Sequence, residues 1–203
     1  NRTIRATAAA ARNSRNVTAR VYDRCMKPFI LSFVLLFLTG AVLAQDTFET
    51  GITQYRSMDY EAAVATLRSV TAADKNNKIA WVYFGAALLR SSNTKEAAKA
   101  FRKGRAGSQD LTPGDDTPLR ITNRTRVRYT EAARERLVTG RIKLAVEFRS
   151  DGTIGFVFPF QTLPDGLTEN SIAAARGLTF EPATRNGSPV TTVAIIEHTF
   201  DIH

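Results

Sequence analysis

The clearest pattern in the chain is a strict alternation of apolar and polar side chains between residues 142 and 149. The apolar positions are Ile142, Leu144, Val146 and Phe148, and the positions between them are Lys143, Ala145, Glu147 and Arg149. A period of two is typical of a β-strand, because successive side chains point to opposite faces of the sheet. One face is apolar and the other mostly polar, which predicts a sheet that is covered on a single side.

Turn and cap residues extend this strand into a small α/β unit. Asp151-Gly152 predicts a hairpin turn, since both positions tolerate a positive φ. The return strand that follows is expected to place three residues on one side of the sheet: Ile154, Phe156 and Phe158.

Helix signals stand on both sides of this hairpin. A helix is expected before the first strand, with Thr130 as its N-cap and Gly140 as its terminator. A second helix is expected over residues 169–176, capped by Thr168, and a last strand over residues 190–202. The order helix, strand, strand, helix, strand predicts a three-stranded antiparallel sheet.

Residues 46–104 carry a helical repeat with a period of 34 residues. Three pairs of positions match across that shift: Gly51 with Gly85, Ala63 with Ala97, and Leu67 with Phe101. The apolar side chains follow helical spacing, and Asp59 and Thr94 stand where the second helices should be capped. A glycine costs a helix about 1 kcal/mol relative to alanine, so its recurrence indicates that two backbones approach closely.

These positions resemble the tetratricopeptide pattern. The matching residues are Trp81, Phe84-Gly85, Leu88, Ala97 and Phe101. An unrelated segment of four helices is the alternative interpretation. Since about three repeats are needed to bury a continuous face, we expect these helices to lean on the C-terminal domain, on a partner or on a second copy of the chain. The fold class predicted for the whole is α+β.

Composition divides the rest of the chain. Residues 105–118 are rich in Gly, Pro, Asp and Ser and are interpreted as a linker. Residues 26–44 have a basic start, an apolar run and a small residue at Ala44, which is typical of a signal peptide. Residues 1–25 are interpreted as translated sequence upstream of the true start, or as a cytoplasmic leader before an uncleaved anchor. Both interpretations place everything after Ala44 outside the inner membrane.

The formal net charge of +9 raises the question of nucleic-acid binding. The first 25 residues hold a net charge of +5 and Lys27 adds one more, so only +3 remains after Ala44. That remainder shows no concentrated basic stripe of the kind that phosphate contacts require. The sequence therefore predicts no nucleic-acid partner.

Side chains suited to catalysis or metal binding are few. The only cysteine is Cys25, and the two histidines, His198 and His203, have no further ligands at metal-binding spacing. His198 is expected to be a partly buried sheet residue, and Asp115-Asp116 to be a solvated turn. No hydrolase or nucleotide-binding motif is present. We therefore expect a non-enzymatic protein with no metal and no cofactor.

Residues 119–203 resemble the TonB C-terminal domain of bacterial energy transducers. The resemblance is carried by YTEAARERLVTGRIKLAVEFRSDGTI, which begins at Tyr129, and by LPDGLTENSIAAARGLTFEPATRNGSPV, which begins at Leu163. It implies binding rather than chemistry: an extended segment of an outer-membrane transporter adds as a further strand beside the last strand of the sheet.

The resemblance places the docking edge on the last strand. The residues that would flank the guest strand are Thr192, Val193, Ile195, Glu197 and Thr199. Four of these, all except Thr192, are expected to point outward. An edge that stays without a partner, or that pairs with a second copy in a homodimer, is the alternative.

Two departures from the family pattern leave alternatives open. The apolar run of residues 26–44 contains Ser32 but no histidine, and a helical repeat stands where transducers carry a Pro-rich spacer. The leading hypothesis is therefore a periplasmic adaptor that docks a transporter segment or another envelope protein. An anchored energy transducer coupled to an inner-membrane motor complex is one alternative, and an envelope scaffold without a transport role is the other.

Overall fold

Four helices form the first layer of the fold. The computed structural model of the chain describes residues 47–104, 112–123 and 126–201. The helices are α1 (residues 47–56), α2 (Tyr60–Ala73), α3 (Lys78–Arg90) and α4 (Thr94–Lys103). The predicted signal peptide and the leader before it lie outside the described residues.

Short polar side chains set where these helices begin. Asp59 caps α2 as predicted, because its carboxylate accepts a hydrogen bond from the backbone N–H of Ala62 at 3.3 Å. The predicted cap of α4 is wrong by one residue. Asn93 accepts from the backbone N–H of Glu96 at 3.2 Å, and Thr94 is the first residue inside the helix.

The two repeated glycines lie at close helix contacts. A Cβ atom added at Gly51 would come within 2.8 Å of the Leu67 side chain, and one added at Gly85 would come within 2.8 Å of the Phe101 ring. The expectation that both glycines serve close packing is thereby confirmed, since real Cβ atoms do not approach that near. The assignment of the helices to the tetratricopeptide family stays a prediction.

The second part of the described chain is built around a three-stranded antiparallel sheet. Its strands are β2 (Gly140–Phe148), β3 (Ile154–Gln161) and β7 (Thr192–Phe200), in the order β3-β2-β7. The connecting elements are β1 (Arg120–Asn123), α5 (Glu131–Glu135), α6 (Leu167–Arg176), β4 (Thr179–Glu181), β5 (Ala183–Arg185) and β6 (Ser188–Val190). Strand β1 pairs with β4, and β5 pairs with β6. The α+β class predicted from the sequence agrees with this arrangement.

Several predicted boundaries in this part are wrong. Thr130 caps α5 as expected, but the helix ends at Glu135, because Leu137 takes a left-handed φ of 52°. Helix α6 begins after Gly166, and Thr168 instead exchanges hydrogen bonds with the backbone of Leu163.

The single last strand predicted over residues 190–202 is divided at Thr191, and β7 begins at Thr192. The return strand also differs from its prediction. An irregularity in the pairing of β2 with β3 places Ile154 in the apolar cluster on one face, whereas Phe156 packs on the other. A β-bulge of this kind shifts the side-chain alternation by one residue.

Both faces of the three-stranded sheet are covered. Residues of α5 and α6 pack on the face that holds Ile142, Leu144 and Val146. The four-helix layer packs on the opposite face, where Ala145 and Ile195 join the helical apolar cluster. The expectation of a sheet covered on a single side is therefore wrong. Of the three supports expected for the helices, the structure shows packing on the C-terminal domain. Residues from Thr47 onward form one compact unit.

The predicted linker of residues 105–118 is only partly among the described residues, and the solvated turn predicted for Asp115-Asp116 is wrong for Asp115. The side chain of Asp115 is 0% exposed. Its two oxygens accept hydrogen bonds from Nη1 and Nη2 of Arg56, both at 2.8 Å. Asp116 is exposed and accepts from the backbone N–H of Gly187 at 2.9 Å. An ion pair thus ties this segment to the end of α1.

Candidate functional site

Strand β7 forms an edge of the three-stranded sheet. It pairs with β2 without interruption, from Phe200 opposite Gly140 to Thr192 opposite Phe148. No other described strand pairs with it, and no described loop makes a backbone hydrogen bond to it. Among the described strands, this nine-residue strand therefore pairs with β2 alone, and its other side is an edge of the sheet.

The opposite edge, β3, has a different character. Its pairing with β2 is irregular at two places, between Lys143 and Leu144 and between Val146 and Phe148. Pro159 lies within the strand and has no backbone N–H to donate. Bulges and prolines are devices that keep an edge from accepting another strand. Of the two edges, β7 is the one whose backbone is regular enough to accept a guest strand.

The structure divides the five predicted docking residues between the two ends of β7. Thr192, Val193 and Ile195 are buried, with exposures of 6%, 5% and 2%. Val193 and Ile195 belong to the apolar cluster of the helical layer, so the expectation that they point outward is wrong. The physical reason is the second covered face of the sheet. A proline at Ile195 would consequently disturb the fold as well as any docking.

Glu197 and Thr199 lie at the accessible end of the strand. Glu197 is half-buried and forms ion pairs with Arg141 at 3.3 Å and with Lys143 at 3.5 Å, both on β2. Thr199 is exposed. These contacts place one carboxylate and two cations beside this end of β7.

A cleft of about 330 Å³ runs beside this end of β7. Four consecutive residues of the strand line it, and since their side chains alternate between the two faces, the cleft follows the edge of the strand rather than one face. The lining residues are Ile121, Arg126, Val127, Leu178, Ile196, Glu197, His198 and Thr199. Arg126 and Val127 were not foreseen as part of the site, because nothing in the sequence pattern places them there.

His198 is half-buried within the strand, opposite Ile142 on β2, as expected of a sheet residue. Within residues 47–104, 112–123 and 126–201, no group of three or more His, Cys, Asp or Glu side chains is placed to hold a metal ion. The expectation of a protein without metal, cofactor or catalysis stays a prediction.

A buried carboxylate, that of Glu147, lies between the helical layer and the sheet. The sequence pattern had placed this residue on the mostly polar face of the strand. Glu147 on β2 is 3% exposed. It accepts a hydrogen bond from the Tyr55 hydroxyl at 2.5 Å and another from the guanidinium of Arg90, and Arg149 Nε lies 3.4 Å away. Gly155 on β3 has no side chain, and a Cβ atom there would collide with this carboxylate. The cluster joins α1, α3 and β2 through charge-assisted hydrogen bonds.

This cluster changes the titration of Tyr55. Burial, together with the negative charge of Glu147, raises the pKa of Tyr55 well above its usual value, because both disfavour the phenolate. Burial alone would lower the pKa of Arg90, but the hydrogen bond and charge of Glu147 offset this and raise it.

The raised pKa of Tyr55 predicts a loss of stability at alkaline pH. In the unfolded chain this tyrosine ionises at about pH 10, whereas in the folded protein it keeps its proton. Above that pH, the contribution of Tyr55 to the free energy of unfolding therefore falls by about 1.4 kcal/mol per pH unit. Urea denaturation of the wild type and of Tyr55→Phe, measured between neutral and alkaline pH, should give a shallower alkaline decline for the variant. The other titrating groups are common to both proteins and cancel in the difference. Equal declines would contradict the prediction.

No helix among the described residues has the length and apolar character needed to cross a membrane.

No protein-family model matches the chain, and the comparison with curated proteins gives no match. Among solved structures, the chain is similar to a solution NMR structure of the Pseudomonas aeruginosa TonB CTD, at 23% sequence identity and a TM-score of 0.36. The likeness covers 42% of this chain and 87% of that one.

Proposed function

We propose that residues 119–201 form a protein-docking module, which takes up an extended segment of a partner as an additional strand beside β7. The observation that carries the proposal is the regular edge of β7, a nine-residue strand that pairs with β2 alone among the described strands. Unpaired N–H and C=O groups on such an edge accept a new strand, and alternate side chains of the guest set its register.

The class of partner comes from the resemblance of these residues to the TonB C-terminal domain. The guest is an extended segment of an outer-membrane transporter or of another cell-envelope protein, and the site of action is the periplasm. The protein acts by binding and not by catalysis. The proposal concerns the part of the chain from residue 47 onward, and it holds whether the segment before that is cleaved or anchors the chain in the inner membrane.

The guest is expected to enter at the Glu197 end of β7. There the cleft lined by Arg126 and Val127 gives access to the edge. Arg141 and Lys143 share one carboxylate at this end, so a net positive charge stands beside the entry. An acidic residue in the guest would be favoured at the corresponding position, by the modest amount that partly exposed ion pairs contribute.

Backbone methylation of the guest tests strand addition directly. The probe is a synthetic peptide copied from the periplasmic N-terminal segment of an outer-membrane transporter of the same cell, prepared unmodified and in two N-methylated forms. One form is methylated at the odd positions and the other at the even positions, so only one of them removes the donors that face β7. We expect one methylated form to lose binding and the other to bind as the unmodified peptide does, measured by calorimetry with the full chain.

Amide hydrogen exchange identifies the edge that is used. On addition of the unmodified peptide, alternate amides of β7 should gain protection, and those of β3 should not change. Equal loss of binding by both methylated forms would overturn strand addition in favour of side-chain docking. Protection at β3, or no binding by any transporter segment, would overturn the assignment of the site.

A further inference from the structure

A groove on the helical layer gathers cations that are scattered in the sequence. It has a volume of about 710 Å³ and lies between α2 and α4, with α3 at its floor. Its cationic lining residues are Arg68, Lys75, Lys78, Lys99, Arg102 and Lys103. Glu96 is the single acidic side chain among the lining residues. The sequence pattern did not indicate this cluster, because helix packing brings together residues that are distant in the sequence.

Most of this positive charge is not neutralised by the described chain. Arg68 forms a two-fold ion pair with Glu96, with N–O distances of 2.8 and 3.2 Å. Within the part of the chain that the structure describes, Lys75, Lys78 and Lys99 form no ion pair. A recessed cluster of one sign focuses the electric field and attracts a ligand of the opposite sign.

Aromatic rings form the floor of the groove, and their faces are already occupied. Lys103 Nζ lies 4.0 Å from the centroid of the Trp81 ring, and the guanidinium of Arg68 lies 5.2 Å from the centroid of the Phe84 ring. Trp81 is 8% exposed and Phe84 is 4% exposed. The cation–π contacts hold the two charged groups at fixed places above an apolar floor.

From this arrangement we infer that the groove binds an acidic segment of a partner protein. A single-stranded nucleic acid needs exposed aromatic faces on which its bases stack, and here those faces are covered by Lys103 and Arg68. A membrane surface meets protruding cations, whereas these line a concave space between two helices. A peptide chain is narrow enough to enter, and its carboxylates would meet the unpaired lysines.

The chain's own terminal segment does not fit this role. Residues 1–46 contain six arginines and one lysine against two aspartates, so their charge does not complement that of the groove. The ligand is therefore a separate protein. This site is independent of strand addition at β7, so either can fail without the other.

Titration with acidic peptide tests the proposal, and Trp81 supplies the signal because it is the only tryptophan in the chain. The probe is an end-blocked oligoglutamate peptide, with oligoglutamine of the same length as its neutral control. We expect oligoglutamate to change the fluorescence of Trp81 and oligoglutamine to leave it unchanged. The double variant Lys78→Gln/Lys99→Gln should weaken binding by about fivefold to tenfold, in line with two partly exposed ion pairs.

A matched variant separates the groove from net charge. Lys95→Gln/Arg134→Gln removes the same charge at two exposed positions outside the groove lining, and Lys95 lies on the same helix as Lys99. It should bind oligoglutamate as the wild type does. Equal weakening by both double variants, or no binding at all, would overturn the proposal. So would tighter binding, sensitive to the groove variant, of oligothymidylate or of phosphatidylglycerol vesicles.

Discussion

Replacement of Phe101 by alanine is expected to lower the free energy of unfolding by about 3–5 kcal/mol, which is the usual range for a fully buried phenylalanine. Phe101 is 0% exposed and fills the space beside Gly85 on α3. Its ring also lies 5.6 Å from that of Phe160 and 5.9 Å from that of Phe158, both on β3. One side chain therefore holds two helices together and joins them to the sheet.

The same variant tests whether the helices and the sheet unfold as one unit. Trp81 fluorescence reports on the helical layer, and hydrogen exchange of the β2 amides reports on the centre of the sheet. The helical layer and the sheet share one apolar cluster. We therefore expect Phe101→Ala to lower the free energy of unfolding by the same amount in both measurements, with coincident transitions. Phe148→Ala is the matched control. Phe148 is equally buried but packs on the far face of the sheet, and its replacement should also move both signals.

Separate transitions would contradict this expectation. If Phe101→Ala shifted the fluorescence of Trp81 but left exchange in β2 unchanged, the helical layer would be a domain of its own. Its contact with the sheet would then contribute little to either part. Local stabilities within one protein can differ in this way, so the comparison of the two signals is decisive.

The elements of the sheet were predictable from the sequence, because each rests on a local pattern. The alternation over residues 142–148 defines β2, and Thr130 caps a helix as its neighbours suggest. The recurrence of Gly51 as Gly85 likewise predicted two close contacts between helices. What a local pattern cannot supply is the identity of the neighbour on each face. Glu147 stands at a position that alternation marks as polar, and only the helical layer turns that position into a buried one.

The candidate site shows the same division. The resemblance of residues 119–203 to the TonB C-terminal domain implied an edge at the last strand, and β7 is an edge of the three-stranded sheet. The prediction that Val193 and Ile195 point outward was wrong, because it assumed that this face of the sheet is exposed, whereas the helical layer packs on it. The cationic groove on α2, α3 and α4 was missed. Its lysines lie far apart in the sequence, and the hydrophobic pattern does not predict how the turns between the helices bring them together.

Replacement of Asp115 by asparagine is expected to lower the free energy of unfolding by about 3–5 kcal/mol, as is usual when one partner of a buried ion pair is removed. The side chain of Asp115 is 0% exposed and that of Arg56 is 11% exposed. Burial alone would lower the pKa of Arg56, but hydrogen bonding and charge from Asp115 raise it, so the guanidinium stays charged. Asparagine keeps the shape and one acceptor, and it leaves that buried charge without a counter-charge.

The neighbouring residue provides the control, since Asp116→Asn makes the same chemical change at an exposed position in the same segment. Its effect should stay within about 0.5 kcal/mol, as is usual for surface substitutions. Urea denaturation followed by Trp81 fluorescence measures both. Equal effects of the two variants would mean that the Arg56–Asp115 pair adds nothing beyond a surface contact.

A third protein, Arg56→Met/Asp115→Leu, removes both charges together. Asp115→Asn lowers the free energy of unfolding because it leaves the buried Arg56 guanidinium without a counter-charge. The double variant has no such charge and should therefore be more stable than Asp115→Asn alone.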